Sequence, residues 1–309
     1  MKNFVKHTNR SLCHMYELEC IPVLTSKFGL DFVGWVNVKD AYTKPGDDIT
    51  NLSTYHVSHP NKISPTDGND PTFPTVLAFD IECMVSAKSG MPKTYKPGDK
   101  VEMISLVMTK YMSGKMDKYL LFIGNSQFDD AAYEDVTQLF FPTELELLRA
   151  FCSMIKELDP DIVTGYNIYG FDYKYIFERL SFYLEPLQNM SRLNNGTTRL
   201  VSVDWESSAY GHNTYSKVEM DGRLVVDLML YFKRFKLEKY SLNFVSEKFL
   251  GAGKDDVHYE EIWDAFESRD PSKMSLVGKL CDAGLGKFTL GVNNLKLKIR
   301  PSKSVLTGT

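Results

Sequence analysis

This sequence has no long apolar run, no paired-cysteine motif, no basic excess and no internal repeat. A helix needs roughly 20 consecutive apolar residues to cross a bilayer, and no stretch approaches that. The start, Met1-Lys2-Asn3-Phe4, lacks the apolar core of a secretory signal. The five cysteines (Cys13, Cys20, Cys83, Cys152 and Cys281) are scattered, odd in number and without a C-x-x-C pair. That excludes a sequence-level case for a disulfide framework or a zinc knuckle and predicts an intracellular, reduced chain. The histidines show no ligand spacing, and His258 reads as a surface helix residue. A net charge of −4 argues against indiscriminate polyanion binding. It decides little, because an acidic metal site would itself add negative charge.

What is present begins with Pro74-Thr75-Val76-Leu77-Ala78-Phe79-Asp80-Ile81-Glu82. A short apolar run bounded by Pro and a polar loop predicts a buried strand. Strand side chains alternate, so Asp80 and Glu82 share a face, about 7 Å apart along the strand. Carboxylates at the end of a buried strand call for a positive partner, and a hard divalent cation, magnesium or manganese, suits oxygen donors. D-x-E alone reads more readily as a strand running into a solvated acidic turn, so a second element must decide.

With 309 residues, 43% of them hydrophobic, the chain can bury one large core or two smaller ones. Residues 1–72 hold short strand-like pieces such as Phe32–Val38 and a Pro/Gly-rich connector from Ser58 to Pro71. Beyond the acidic strand the pattern predicts a loop over 86–100, strands over 101–108 and 119–123 and an amphipathic helix over 145–158. It then predicts a buried strand over 161–166, a helix over 173–183, a hairpin or ordered loop within 188–221 and a strand over 223–228. Helices over 237–249 and 259–266 follow, with Asp255, Asp256, Glu260, Glu261 and Asp264 as a solvated helix start. The basic tail from 287 to Thr309, with Lys296, Lys298, Arg300 and Lys303, reads as unstructured. Strand–helix alternation indicates an α/β layer on a mixed sheet.

A second acidic element stands in Gly165-Tyr166-Asn167-Ile168-Tyr169-Gly170-Phe171-Asp172, where a strand feeds a helix, the usual place for ligand contacts in open α/β sheets. Asp172 there could face Asp80 and Glu82; on spacing alone it reads equally as a helix N-cap. Tyr166, Tyr169, Tyr173, Tyr175 and Phe177 read as core, and Asp227 as a strand-terminal or capping residue.

These phrases resemble a known family. Phe79-Asp80-Ile81-Glu82-Cys83 is similar to the first exonuclease motif of family B DNA polymerases. Asp159 to Asn167, running on to Phe171-Asp172, resembles the second. Gly222-Arg223, Asp227-Leu228, Tyr240-Ser241-Leu242-Asn243 and Leu250-Gly251 resemble the region linking the second motif to the third. The ordered match makes a coincidental likeness in an unrelated acidic α/β protein the weakest reading. The wording of Asn167 to Asp172 is most similar to the versions in large DNA viruses.

The resemblance implies an RNase H-like 3′–5′ exonuclease domain over residues 73–286, preceded by a partial β-rich N-terminal domain. It implies a role in DNA replication, with Asp80, Glu82 and Asp172 as ligands of two divalent metals (Mg2+ or Mn2+). It places Asn167 and Phe171 against the 3′ end of single-stranded DNA. It also implies as partners the palm, fingers and thumb of a full-length polymerase, with no membrane, and a nucleus or viral replication site as the place of action.

The third motif departs from the family. There a tyrosine precedes an aspartate by four residues; here Leu280 takes the tyrosine's place and Asp282 arrives two residues early. A two-residue step turns a helical side chain through about 200°, so Asp282 is a doubtful catalytic ligand. The sequence ends before any palm-like stretch, so it resembles a truncated polymerase without its own polymerase site. Loss of the motif keeps open a catalytically inactive nucleic-acid-binding or structural module.

Overall fold

The structure is a computed structural model that describes residues 25–31, 34–44, 54–66, 73–111, 113–125, 133–193, 196–207, 211–251 and 258–278. By internal packing the chain divides into two units, one reaching Thr72 and the other beginning at Phe73. In the first, β1 (Val36–Val38) pairs antiparallel with β2 (Ile63–Pro65), and Tyr42 bridges His56. The stretch read as a plain connector thus contains a strand and, at Pro60–Lys62, a short 3-10 turn capped by His59, whose ring nitrogen accepts from the Asn61 amide. Proline is tolerated there because both strands are edges.

The second unit is built on a six-stranded mixed sheet ordered β10-β7-β3-β4-β5-β6. Its strands are β3 (Thr75–Cys83), β4 (Val101–Lys110), β5 (Met116–Ile123), β6 (Val136–Phe141), β7 (Ile162–Gly165) and β10 (Leu224–Asp227). β10, β7 and β3 run parallel; β4 is antiparallel to both β3 and β5. Strands and helices alternate as the sequence pattern predicts, and the architecture is that of an RNase H-like α/β domain. Among the described residues no helix is long and apolar enough to cross a membrane.

Helix α1 (Glu144–Leu158) starts at Thr143, whose hydroxyl accepts from the Glu146 amide while the Glu146 carboxylate bonds that hydroxyl. The threonine hydroxyl thus satisfies one of the helix's orphan donors, and the Glu146 carboxylate holds that hydroxyl in place. Leu147, Leu148, Phe151 and Ile155 bury one stripe of it against Leu77 and Phe79 of β3. Helix α2 (Asp172–Phe182) covers the same face with Tyr173, Ile176 and Leu180, so the central aromatic residues are core. Tyr166 alone stays half-buried, bonding the Tyr240 carbonyl at 2.6 Å.

The opposite face of the sheet meets α5 (Tyr259–Ser268) and the helical residues 271–278. Trp263, Phe266, Met274 and Val277 pack there on Met103, Leu120 and Phe122. Because both faces are covered, β3 reads as a near-continuous apolar run. Ala78, Asp80 and Glu82 alternate with Leu77, Phe79 and Ile81, so the two carboxylates point away from α1 and α2.

The stretch within 188–221 is a long antiparallel hairpin, β8 (Thr198–Ser207) with β9 (Gly211–Met220). Helix α3 (Leu228–Phe232) follows β10 directly, and α4 covers Leu242–Leu250. The helix expected from 237 therefore starts five residues later. Lys236 adopts a left-handed conformation and the Leu237 amide bonds the Tyr240 hydroxyl, which makes 237–241 a turn capped by Ser241. His258 is the exposed N-cap residue of α5 rather than a helix residue, and Glu260, Glu261 and Asp264 are exposed on that helix. Asp255, Asp256, Leu280, Asp282 and the basic tail lie outside the described residues.

Gly165 sets the spacing of β7 on β3, Asp99 anchors the loop after β3, and a substitution at each has an expected outcome. A Cβ on Gly165 would sit 2.6 Å from the Phe79 carbonyl oxygen, closer than real contacts allow. Gly165→Ala must push β7 off β3 and is expected to lower stability by about 1–3 kcal/mol, the scale of overpacking, as read by denaturant unfolding.

Asp99 anchors the 86–100 loop, accepting from the amides of Ser86 at 2.9 Å and Lys93 at 2.8 Å and from the Ser86 hydroxyl. Burial opposes its ionisation, yet these donors outweigh burial and hold its carboxyl below the usual range. A carboxyl depressed in the folded state contributes stability above its unfolded pKa of about 3.9 and loses it as pH falls through the folded value. Asp99→Asn is therefore expected to lower stability at neutral pH and to flatten its fall below about pH 4. Wild-type and variant Tm values converging toward acid are the check.

Candidate active site

β3, β7 and β10 point their carboxyl ends the same way, and the ladder between β3 and β7 stops at the pair Ala78–Thr164. Beyond Ala78 the β7-facing edge of β3 loses its partner strand. The Ile81 amide on that edge donates instead to the Asp172 carboxylate at 3.2 Å. Asp172 is the first residue of α2, and the N-cap position belongs to Phe171, which makes no side-chain cap. The carboxylate that could have capped its own helix thus reaches across to β3, between Asp80 and Glu82.

Electrostatics set this end of the sheet apart. Burial pushes the Asp172 carboxyl well above the usual carboxylate range, and the negative charge of Asp80 pushes it further; Asp227 adds a smaller push. The Cys83 thiol is likewise raised by burial and then by Glu82, Asp172 and Asp80. Like charges held together in a desolvated place favour a counter-cation or a shared proton. The hard oxygen donors of Asp80, Glu82 and Asp172 fit Mg2+ or Mn2+ in chemistry and sign. Among the described residues no group of three such side chains stands close enough to close a metal cage by itself.

The turn between β7 and α2 is held by Asp227, which accepts from the amides of Asn167 and Tyr169, each at 3.0 Å. The same carboxylate caps α3 through the Met229 amide at 2.9 Å. Asp227 is therefore the capping residue read from sequence and also the clamp of the turn, which no local signal could reveal because the two segments lie about sixty residues apart. Asn167 takes a left-handed conformation at φ 62°, and a Cβ on Gly170 would overlap its side-chain amide. Gly170 is thus the space that seats Asn167. Phe171 is half-buried with its ring 5.4 Å from that of Tyr175.

Asp159 and Asp161, which open the second motif, sit at the other end of these strands. Asp159 takes Arg192 at 2.8 Å and Arg223 at 2.7 Å, while Asp161 accepts from the Thr75 amide at 2.8 Å. They tie β3, β7 and β10 together at their starts.

This arrangement has counterparts of known family. The DNA polymerase family B exonuclease domain matches residues 13–245. The chain belongs to the family B DNA polymerases. DNA polymerase 120R of Invertebrate iridescent virus 3 is 32% identical over 84% of this chain and 24% of its own length. The DNA polymerase catalytic subunit of Saimiriine herpesvirus 2 is 30% identical over 67% of this chain and 20% of its own. For the DNA polymerase delta catalytic subunit of Plasmodium falciparum the figures are 31%, 67% and 19%. The chain thus spans about a fifth to a quarter of the length of these relatives.

Within this family B exonuclease region, Asp80 and Glu82 stand near the carboxyl end of β3, Asp172 bonds the Ile81 amide between them in sequence, and Asn167 and Phe171 lie on the adjoining turn. Helix 271–278, which leads toward the departing third motif, packs on the sheet face that carries Asp80 and Glu82. Asp282 itself lies outside the described residues.

Proposed function

We propose that this chain is the 3′–5′ proofreading exonuclease region of a family B DNA polymerase, cutting the 3′-terminal nucleotide from single-stranded DNA during replication. Residues 73–286 form the nuclease domain and 1–72 belong to an amino-terminal domain. The observation that carries this reading is the seating of Asp172 on the Ile81 amide, which fixes a buried carboxylate to the strand that bears Asp80 and Glu82. Asp80, Glu82 and Asp172 would hold two divalent cations, which would supply water activation and charge neutralisation at the scissile phosphate.

The chain's own residues do the rest. The turn fixed by Asp227 presents Asn167 for a polar contact with the terminal nucleotides and Phe171 as a stacking face indifferent to base identity. Carboxylates arranged this way repel a bare phosphodiester, which makes cutting strictly dependent on added metal. The palm, fingers and thumb of the longer enzyme are its intramolecular partners, and the replication site of an infected cell is where it works.

Leu280 in place of the family tyrosine supports a second reading, an inactive module that keeps the fold and holds single-stranded DNA. Incubating the purified chain with a 3′-labelled oligonucleotide, in magnesium or manganese and then in chelator, separates the two. Metal-dependent mononucleotide release that vanishes in Asp80→Ala supports the nuclease; a folded chain that binds but never cuts supports the module.

A further inference from the structure

One exposed surface is out of keeping with a chain of net charge −4. The connection between α3 and α4 carries Lys233, Arg234, Lys236 and Lys239, with Glu238 as the acid among them. Arg234, Lys236 and Lys239 are exposed and Lys233 half-buried. None of the four has an ion-pair partner among the described residues, and Arg234 lies over the Tyr231 ring, 6.0 Å from its centre. Cations left unpaired together on an acidic protein form a local positive field, the footprint of a polyanion.

The connection is also built rather than loose. Lys236 turns the chain at φ 48°, and the Leu237 amide donates to the Tyr240 hydroxyl at 2.9 Å. The Tyr166 hydroxyl donates to the Tyr240 carbonyl at 2.6 Å, one residue before Asn167. At its other end α3 hangs from Asp227, the carboxylate that clamps the Asn167 turn. Both ends of the basic stretch are therefore fixed to the turn beside the acidic site. Phe235 is 46% exposed, yet its ring is braced 5.6 Å from both Tyr231 and Phe249. A rigid aromatic face among unpaired cations is the combination that binds single strands, phosphates by charge and bases by stacking.

We propose that residues 233–239 form a ledge that binds single-stranded nucleic acid, its cations on the phosphates next to the terminal nucleotides and Phe235 beneath a base. The ledge rests on the nuclease reading for which part of the strand it holds, and not for the binding itself.

Fluorescence anisotropy of the full chain with a short labelled oligodeoxynucleotide in chelator tests it, since no hydrolysis is involved. Changing Lys233, Arg234, Lys236 and Lys239 together to Gln is expected to weaken binding. It should also flatten the slope of log Kd against log salt by up to about 3, at about 0.7 for each phosphate no longer neutralised. Exchanging Lys for Arg and Arg for Lys at the four positions should restore the slope. Phe235→Leu should raise Kd roughly fivefold or more with the slope unchanged. Removing as many charges at the exposed Lys110, Lys115, Lys156 and Lys174 should leave the slope alone.

An unchanged slope in the fourfold variant, or an equal fall in the control variant, overturns the ledge, and an unchanged Kd in Phe235→Leu overturns the stacking. Loop-dependent binding to phosphatidylserine-containing vesicles with none to the oligonucleotide overturns it in favour of a membrane surface. Loop-dependent binding by a chain that never cuts refutes the nuclease and keeps the ledge. Cutting with an unaltered salt slope in the fourfold variant does the reverse.

Discussion

Asp172→Asn is expected to slow metal-dependent release of 3′-terminal nucleotides by at least about 10²-fold, the scale on which losing one electrostatic group slows an enzyme, while the chain stays folded. The argument has two halves. The asparagine oxygen still accepts from the Ile81 amide, so the contact that seats α2 against β3 survives. What disappears is a buried ionisable carboxyl whose pKa is raised first by desolvation and then by Asp80. A carboxyl raised in the folded state is a net loss of stability once pH exceeds its unfolded value of about 3.9. The neutral variant should therefore match or exceed the wild-type Tm in chelator at pH 7. Added magnesium should raise Tm in the wild type and less in the variant, because a ligand that binds only the folded state stabilises by mass action. Wild-type cutting rates in Asp172→Asn would refute the role given to Asp172. A chain that fails to fold would refute the claim that its charge serves the site and not the fold.

The acidic strand was legible because every signal for it is local: a bounded apolar run, then two carboxylates at a two-residue spacing. The helices α1 and α2 were legible for the same reason, their apolar positions recurring at helical period within one segment. Strand β6 was not read at all. Its sequence Val136–Phe141 becomes a strand by pairing in parallel with β5, and its partly exposed edge position leaves no buried run to notice. The overextended helix before Leu242 failed on one backbone angle, the left-handed Lys236, which no residue preference foretells for lysine. At the site, the same limit separates Asp172 from Asp227. Both close strand–helix junctions, but which carboxylate turns inward depends on which strand loses its neighbour. That is a property of the sheet, set by β3 outrunning β7, and is invisible along the chain.

Arg179→Met is expected to destabilise the protein by about 3–5 kcal/mol, the cost of stranding one partner of a buried ion pair. Both side chains of the Arg179–Glu144 pair are fully buried. Arg179 Nε donates to Glu144 at 2.9 Å, a second guanidinium nitrogen completes a two-pronged contact, and the third reaches the carbonyls of Thr94 at 2.7 Å and Lys96 at 2.9 Å. Glu144 in turn accepts from the Val101 amide at 2.8 Å and the Tyr183 hydroxyl at 2.7 Å. The pair thus joins the start of α1, the last turn of α2, the loop after Glu82 and the start of β4. Methionine fills much of the arginine's volume but leaves Glu144 charged and two carbonyls unmet. Pairing it with Glu144→Leu removes the stranded charge and should recover part of the loss, and only part, because Val101, Tyr183, Thr94 and Lys96 keep unsatisfied groups. A double-mutant cycle by denaturant unfolding reads this coupling directly. Single and double variants of equal stability would show that the stranded charge is not the source of the loss. The pair also links the site's two halves, since α2 begins at Asp172 and the 86–100 loop leaves β3 just after Glu82. Arg179→Met should accordingly reduce cutting at temperatures well below its unfolding transition, where loss of the folded population cannot account for it.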